Sequence, residues 1–285
     1  MTGVVVHRYG PVDAPDVVLL HGLTESGTAW PDAVARWGAS WRMHAPDQRG
    51  HGTSPRVATE DLDRLLDVLV DDLLTLLDDL PAPAAVVGHS LGGRVAVVAA
   101  LRRPERFACL VLEEPALDAG PIGHDRVDAD RFGAHQFVEE QERFLATFDD
   151  GAAAEIVRMR SATTWTEAEI IEWAACKRLV DRRMIAHLSL GAVRRTASLD
   201  ALQVPTLVIA AAGGPLAPDP AQVTNPFVRV ELLDGVGHCV RRDAPDRFHA
   251  IVDPFLNAHR PQGRRPGAAT GGPGSRASSR RRRRA

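Results

Sequence analysis

The sequence predicts an α/β fold, a mostly parallel central sheet flanked by helices, with a helical insertion partway along the chain. Three observations predict it. Over the first 115 residues short apolar runs of strand length alternate with helix-like stretches, the pattern of a chain whose strands return to one sheet over crossover helices. Several of these runs stop at loops rich in Gly, Pro or Asp. The alternation lapses between about Ala116 and Ala201 and then resumes, so the sheet is interrupted there and completed later.

Val4, Val5 and Val6 are a short strand-like start. Val17 to Leu20 is a continuous apolar run ending in His21-Gly22, and Trp41 to Ala45 is another ending in Pro46-Asp47; both read as buried strands feeding loops. From Leu62 the leucines recur at 65, 66, 69, 73, 76, 77 and 80, with Asp67, Asp71 and Asp72 between them, which is one apolar stripe at helical period. Thr59 is placed to cap that helix and Pro81 to stop it. Ala84 to Val87 is a strand, Gly88 to Gly93 a turn, Arg94 to Arg103 a helix halted before Pro104, and Phe107 to Leu112 the next strand. After the insertion come strands at Thr206 to Ala211 and Val228 to Leu232. A closing helix from about Ala244 to Ala258 carries Phe248, Ile251, Val252 and Phe255 at helical spacing. The expected organisation is a core over residues 1–115 and 202–259, an insertion over 116–201, and an Arg-rich tail over 260–285.

With 285 residues, 45% of them hydrophobic, the chain can bury a full core, which excludes a disulfide miniprotein and a wholly disordered polypeptide. A quarter of the residues are charged, and no apolar run approaches the roughly 18 residues of a spanning helix. The start of the chain lacks the apolar segment and cleavage site of a secretory signal. A soluble, cytoplasmic protein without a membrane partner is the expectation. Cys109, Cys176 and Cys239 are odd in number and widely spaced, so they read as packing residues rather than disulfides or metal ligands. The net charge of −3 hides nine arginines and no acid from Arg260 onward. That tail is Gly, Pro, Ser and Arg with almost nothing apolar to bury, the composition of a disordered segment. It has no interleaved aromatics and follows an acidic body, so it reads as a passive extension rather than a nucleic-acid-binding arm. The sequence carries no signature of oligomeric state.

Gly88-His89-Ser90-Leu91-Gly92 fits G-x-S-x-G, between an apolar strand and a helix. In that setting a sharp turn lifts Ser90 above the sheet and leaves the Leu91 N–H at a helix N-terminus, facing any oxyanion that develops at the reacting carbon. Three further motifs follow strands in order: His21-Gly22-Leu23-Thr24, Asp47-Gln48-Arg49-Gly50-His51-Gly52-Thr53-Ser54, and Gly235-Val236-Gly237-His238. On these four motifs the chain resembles an α/β-hydrolase of the serine esterase and cofactor-free haloperoxidase type, over roughly Val4 to Asn257. The resemblance implies the α/β-hydrolase fold with a helical cap, Ser90 as nucleophile and His238 as general base. It also implies an oxyanion hole made by the Leu23 and Leu91 amides, no cofactor and no metal. His21, His51, His89, Asp47 and Arg49 are expected to brace loops.

The family usually supplies its acid in the loop after the strand at Thr206 to Ala211. Here that loop reads Ala211-Ala212-Gly213-Gly214-Pro215, with Gly214 where the acid is expected and no carboxylate before Asp219. A second location used in the family is the end of the preceding core strand, where Glu113 and Glu114 stand. Glu114, just before Pro115, is the candidate, with Glu113 the competitor and Asp219 a further alternative. Strand alternation sends the two glutamates to opposite sides, so only one can serve.

The implied activity is hydrolysis of a carboxylic ester, thioester or lactone of small to medium, partly apolar character. Its partner is then a small molecule, and the insertion's Phe132, Phe137, Phe144, Trp165 and Trp173 form either a pocket lining or the insertion's own core. A serine rather than an aspartate at the turn argues against epoxide hydrolysis and dehalogenation. A degraded, binding-only member, or a carbon–carbon hydrolase or lyase on the same scaffold, are the other readings.

Overall fold

The computed structural model describes residues 3–118, 127–188 and 190–261. The tail expected to be disordered lies outside the described residues from position 262 onward.

Seven strands form one sheet: β1 Val6–Tyr9, β2 Asp16–Leu20, β3 Arg42–Pro46, β4 Ala84–His89, β5 Phe107–Glu113, β6 Thr206–Ala211 and β7 Val228–Leu233. Their spatial order is β1-β3-β2-β4-β5-β6-β7. Only the first pairing, β1 with β3, is antiparallel. The chain steps outward from β2 to β3 and then crosses back to place β4 on the other side of β2. The loops leaving the C-terminal ends of β2 and β4 are therefore side by side at a topological switch point, where open α/β sheets leave a crevice for ligands.

Period-two alternation divides the core. Val18, Leu20, Val86, Leu110 and Val208 pack against helices α2 (Leu65–Asp78) and α3 (Leu91–Arg102). Val17, Leu19, Val87, Val111 and Ile209 pack on the other face against α1 (Pro31–Trp37) and α10 (Pro245–Ala258). Both faces of the sheet are covered, as a parallel sheet requires. Within α2 the buried residues are the leucine stripe read from sequence. Thr59 does not cap it: the first turn, Thr59–Arg64, is wound as a 3-10 helix whose N-cap position is Ala58, and the α-helix starts only at Leu65.

Between β5 and β6 the described residues form five helices: α4 Val127–Ala146, α5 Ala153–Ala162, α6 Glu167–Cys176, α7 Arg182–Ala186 and α8 Arg195–Asp200. A small apolar cluster of Phe148, Met159, Ile170, Trp173 and Ala174, with Phe144 and Trp165 against it, gives this segment a core of its own. Phe144, Phe148, Trp165 and Trp173 stack edge to face or tilted, with centroids 5.4–6.1 Å apart. Of the five aromatics singled out in the sequence, three thus build the insertion's interior, and Phe137 is exposed. The Phe132 side chain lies outside the described residues. The last helices are the short α9, Val240–Asp243, and α10.

Candidate functional site

Ser90 lies at the N-cap position of α3 with φ 51° and ψ −111°. Only one other non-glycine among the described residues has positive φ, and it is Glu114 at 45°. Such conformations cost of order 1–3 kcal/mol each and persist only when their surroundings over-determine them. Here they do. The Ser90 N–H donates to Glu113 O at 3.0 Å, and Ser90 O accepts from the Arg94 and Ala116 amides, both at 3.1 Å. The glycines of the turn permit the close approach: a Cβ on Gly92 would stand 2.2 Å from Leu20 O, and one on Gly88 2.7 Å from the Gly92 carbonyl.

Glu114 is fastened in the same way. Its N–H donates to Ile209 O at 2.9 Å, and its Oε1 accepts the Ala211 N–H at 2.7 Å. Its Oε2 is left facing His238 Nδ1 at 3.2 Å. The carboxylate is 3% exposed while the imidazole is 47% exposed, so the acid is sealed behind the ring and the ring's far edge opens outward. An open groove of about 320 Å3 runs beside the pair, lined by Gly213, Gly214, Pro215 and Leu216 on one side and by Val236 and Gly237 on the other. Gly214 contributes only backbone there.

Glu113 points elsewhere, with Oε1 accepting the Arg241 N–H at 2.6 Å. Asp219 is exposed and turns onto its own 3-10 turn, accepting from Ala221 N at 3.0 Å. Of the three candidate acids the structure brings Glu114 alone to the imidazole. Ser90 and His238 are brought to the same end of the sheet through Glu113, Glu114 and His89, with no hydrogen bond between the Ser90 hydroxyl and the imidazole itself.

The loop after β2 abuts the turn through Gly92 N–H to His21 O at 3.1 Å. His21 is fully buried and its pKa is pushed down to about 3, first by burial and then by neighbouring His51. A neutral ring suits its contacts, since Nε2 accepts the Gln48 N–H at 3.0 Å and Nδ1 faces Gly22 O at 2.8 Å. Burial also lowers His51, whose Nε2 faces Leu23 O at 2.6 Å and fixes that peptide. Asp47 accepts the Gly27 and Thr53 amides, each at 2.8 Å, and Arg49 grips Asp72 through two bonds of 2.8 Å. These residues brace loops, as expected. Among the described residues neither the Leu23 N–H nor the Leu91 N–H donates to an intramolecular acceptor.

The sequence did not point to the charge buried behind this site. Arg241 and Arg242 follow His238 by three and four positions and are 3% and 2% exposed. Arg242 pairs with Glu25 and Glu169, Arg241 with Glu169, and both donate to Ala29 O at 3.0 Å. Lys177, the single lysine, is buried beside them and donates to Thr24 O at 3.0 Å and to its hydroxyl at 3.1 Å. The cluster joins the β2 loop, helix α6 and the segment after His238. The available signal was position, since Glu25 lies two residues past Leu23 and the arginines come three and four residues after His238.

The chain belongs to the alpha/beta hydrolase family, whose model matches residues 17–251. It is 42% identical over 113 residues to lipase LipV of Mycobacterium tuberculosis, a match covering 39% of this chain and 41% of that one, so the alignment spans about two fifths of that relative. It is 30% identical over 268 residues to the pimeloyl-[acyl-carrier protein] methyl ester esterase of Aeromonas hydrophila, covering 89% and 99% of the two chains. Among solved structures it shares the fold of a thermophilic esterase from Thermogutta terrifontis, with a TM-score of 0.65, 21% identity and coverage of 90% and 94%. Hydrolases recur throughout these matches.

Proposed function

We propose that the protein is a serine hydrolase that cleaves a carboxylic ester, thioester or lactone of small to medium, partly apolar character. The observation that carries this reading is the contact of buried Glu114 Oε2 with His238 Nδ1, on the same sheet end as a serine held at positive φ. In the proposed cycle, Ser90 Oγ attacks the substrate carbonyl carbon while His238 Nε2 takes the hydroxyl proton. Glu114 holds the Nδ1–H tautomer and stabilises the imidazolium. The Leu23 and Leu91 amides receive the oxyanion, each such donor contributing about 2.7–4 kcal/mol in the transition state. The imidazolium then protonates the leaving oxygen or sulfur, and water, activated by the same base, releases the acid from the acyl-enzyme.

Epoxide and haloalkane chemistry on this scaffold needs a carboxylate nucleophile, and position 90 is a serine. The glycine at position 214 favours a member with degraded catalysis, and the contact of Glu114 with His238 supports the catalytic reading against it. A fluorophosphonate probe, which reacts only with an activated serine, should label the wild type and fail to label Ser90→Ala. Turnover of a short-chain aryl ester that survives in Ser90→Ala would overturn the mechanism, and a chain-length series of esters and lactones would set the substrate range.

A further inference from the structure

Three loops meet over one side chain. His89, the first unspecified position of the Gly88-x-Ser90-x-Gly92 turn, is 5% exposed and faces the carbonyl of His238 with Nε2 at 3.0 Å. Its Nδ1 faces Glu25 Oε2 at 3.4 Å. That same carboxylate oxygen accepts the Gly22 N–H at 3.2 Å, one peptide before the Leu23 amide. The His89 ring also lies 4.8 Å, centroid to centroid, from the His238 ring.

The glycine in His21-Gly22-Leu23 has a matching cause. A Cβ at Gly22 would stand 2.9 Å from His89 Nδ1 and 3.5 Å from Glu25 Oε2. The ring therefore packs directly on the backbone of the β2 loop, and the loop lacks a side chain where the ring must lie.

We propose that His89 is a positioning residue that clamps the base loop and the oxyanion loop to the nucleophile's own turn, through the His238 carbonyl on one side and Glu25 on the other. This rests on the serine-hydrolase reading for its consequence in catalysis, but the clamp itself is a statement about three loops. Both ring nitrogens face groups that only accept, a carbonyl and a carboxylate, so the ring satisfies both contacts only when each nitrogen carries a proton. The surroundings agree with that state. Burial opposes the charge, but Glu113, a side-chain contact with Cys239, and Glu25 outweigh it and hold the imidazole well above its ordinary range. Glu25 is in turn held ionised, against its burial, by Arg242, His89 and Lys177. The Glu25 arm of the clamp is thus anchored in the buried charge cluster.

Its function is geometric. A displacement of about 1 Å at a reacting group can cost about 100-fold in rate, and His89 fixes two of the groups that must converge on the carbonyl. His89→Leu should lower kcat for an aryl ester about 10- to 100-fold with KM within about twofold, and His89→Gln, which keeps one donor, should recover part of the loss. Unchanged kcat in His89→Leu, or a loss carried by KM alone, would overturn the clamp. Hydrogen–deuterium exchange in the Ser90→Ala background gives a readout that needs no activity. His89→Leu should raise exchange together at residues 22–25 and 237–240, and His89→Gln less so. A rise at neither segment, or at one alone, would refute the coupling. Failure of the wild type to react with the fluorophosphonate would sink the hydrolase reading by itself, while the exchange result would still decide the clamp.

Discussion

Glu113 and Glu114 are adjacent and equally buried, at 2% exposed each, yet they belong to opposite kinds of electrostatic construction. Glu114 leaves the strand at positive φ, is held by the Ala211 amide, and turns its other oxygen to an imidazole whose outer edge is open beside a groove. Glu113 continues the strand and turns to the segment after His238, where Arg241 and Arg242 are enclosed with Glu25 and Glu169. In the first region a charge is poised beside a group that can gain and lose a proton. In the second, arginines face carboxylates in a closed set, and arginine does not titrate in proteins, so the set can only hold position. One strand end thus supplies both a carboxylate–imidazole contact and a carboxylate that caps the segment carrying the enclosed arginines.

The sharpest way to break this comparison is to exchange charge for shape on each side. Glu114→Gln keeps the backbone cap but no longer stabilises an imidazolium, so kcat should fall about 1,000- to 10,000-fold, as for loss of an orienting acid elsewhere, with Tm within a few degrees. Arg242→Met should do the reverse. Removing one partner from a buried ion cluster costs about 3–5 kcal/mol, because Glu25 and Glu169 lose a compensating charge. Calorimetry should then show Tm lower by roughly 10 °C for a chain of this size. If Arg242→Met left stability intact and abolished turnover alone, the division between the two regions would be wrong.

A smaller effect separates them by pH. His21 is neutral in the native state, with its pKa pushed down to about 3, whereas the unfolded chain takes up a proton near pH 6.5. Native stability from this ring is therefore complete above about pH 6.5 and is lost as pH falls toward 3, at about 1.4 kcal/mol per unit. His51, also lowered by burial, works in the same sense. His89, held high, has the opposite sign: its contribution is complete below about 6.5 and is lost as pH rises through its native value. Between pH 6.5 and 5 His21 alone should remove about 2 kcal/mol, and His21→Asn should flatten the slope of urea midpoint against pH. An unchanged slope would place a charged ring at position 21.

Most of the sheet was legible because its signals are local. Val17 to Leu20 and Thr206 to Ala211 announce strands as short apolar runs bounded by loop residues, the leucines of α2 announce a helix by period, and the structure places them within a few residues of that reading. The Ser90 turn and the His238 loop were legible because a tight bend needs particular glycines. The choice between Glu113 and Glu114 was half legible: alternation required them to diverge, but which one reaches the imidazole depends on the turn at Glu114 and on the Ala211 amide, 97 positions away. The buried cluster could not be read. Glu25, Glu169, Arg241 and Arg242 are of types that default to the surface, and their burial follows from partners as much as 217 positions distant.

The smallest expected effect probes how the insertion is joined to that cluster. Thr166 is the N-cap of α6, accepting the Glu169 N–H at 3.3 Å, and it also donates to Asp32 at 3.1 Å. Glu169, one turn in, accepts the Asp32 N–H at 3.2 Å and holds both arginines. The cap therefore fixes the start of the helix that brings Glu169 from the insertion to the two arginines of the core. Thr166→Ala should cost about 1 kcal/mol, the ordinary value of a lost N-cap, with no change in kcat, because Glu169 remains gripped by two guanidinium groups. A loss above about 3 kcal/mol, measured by denaturant titration, would mean that helix α6 and the arginine cluster form only together. A fall in kcat at unchanged stability would mean that the support behind His238 is less rigid than its burial implies.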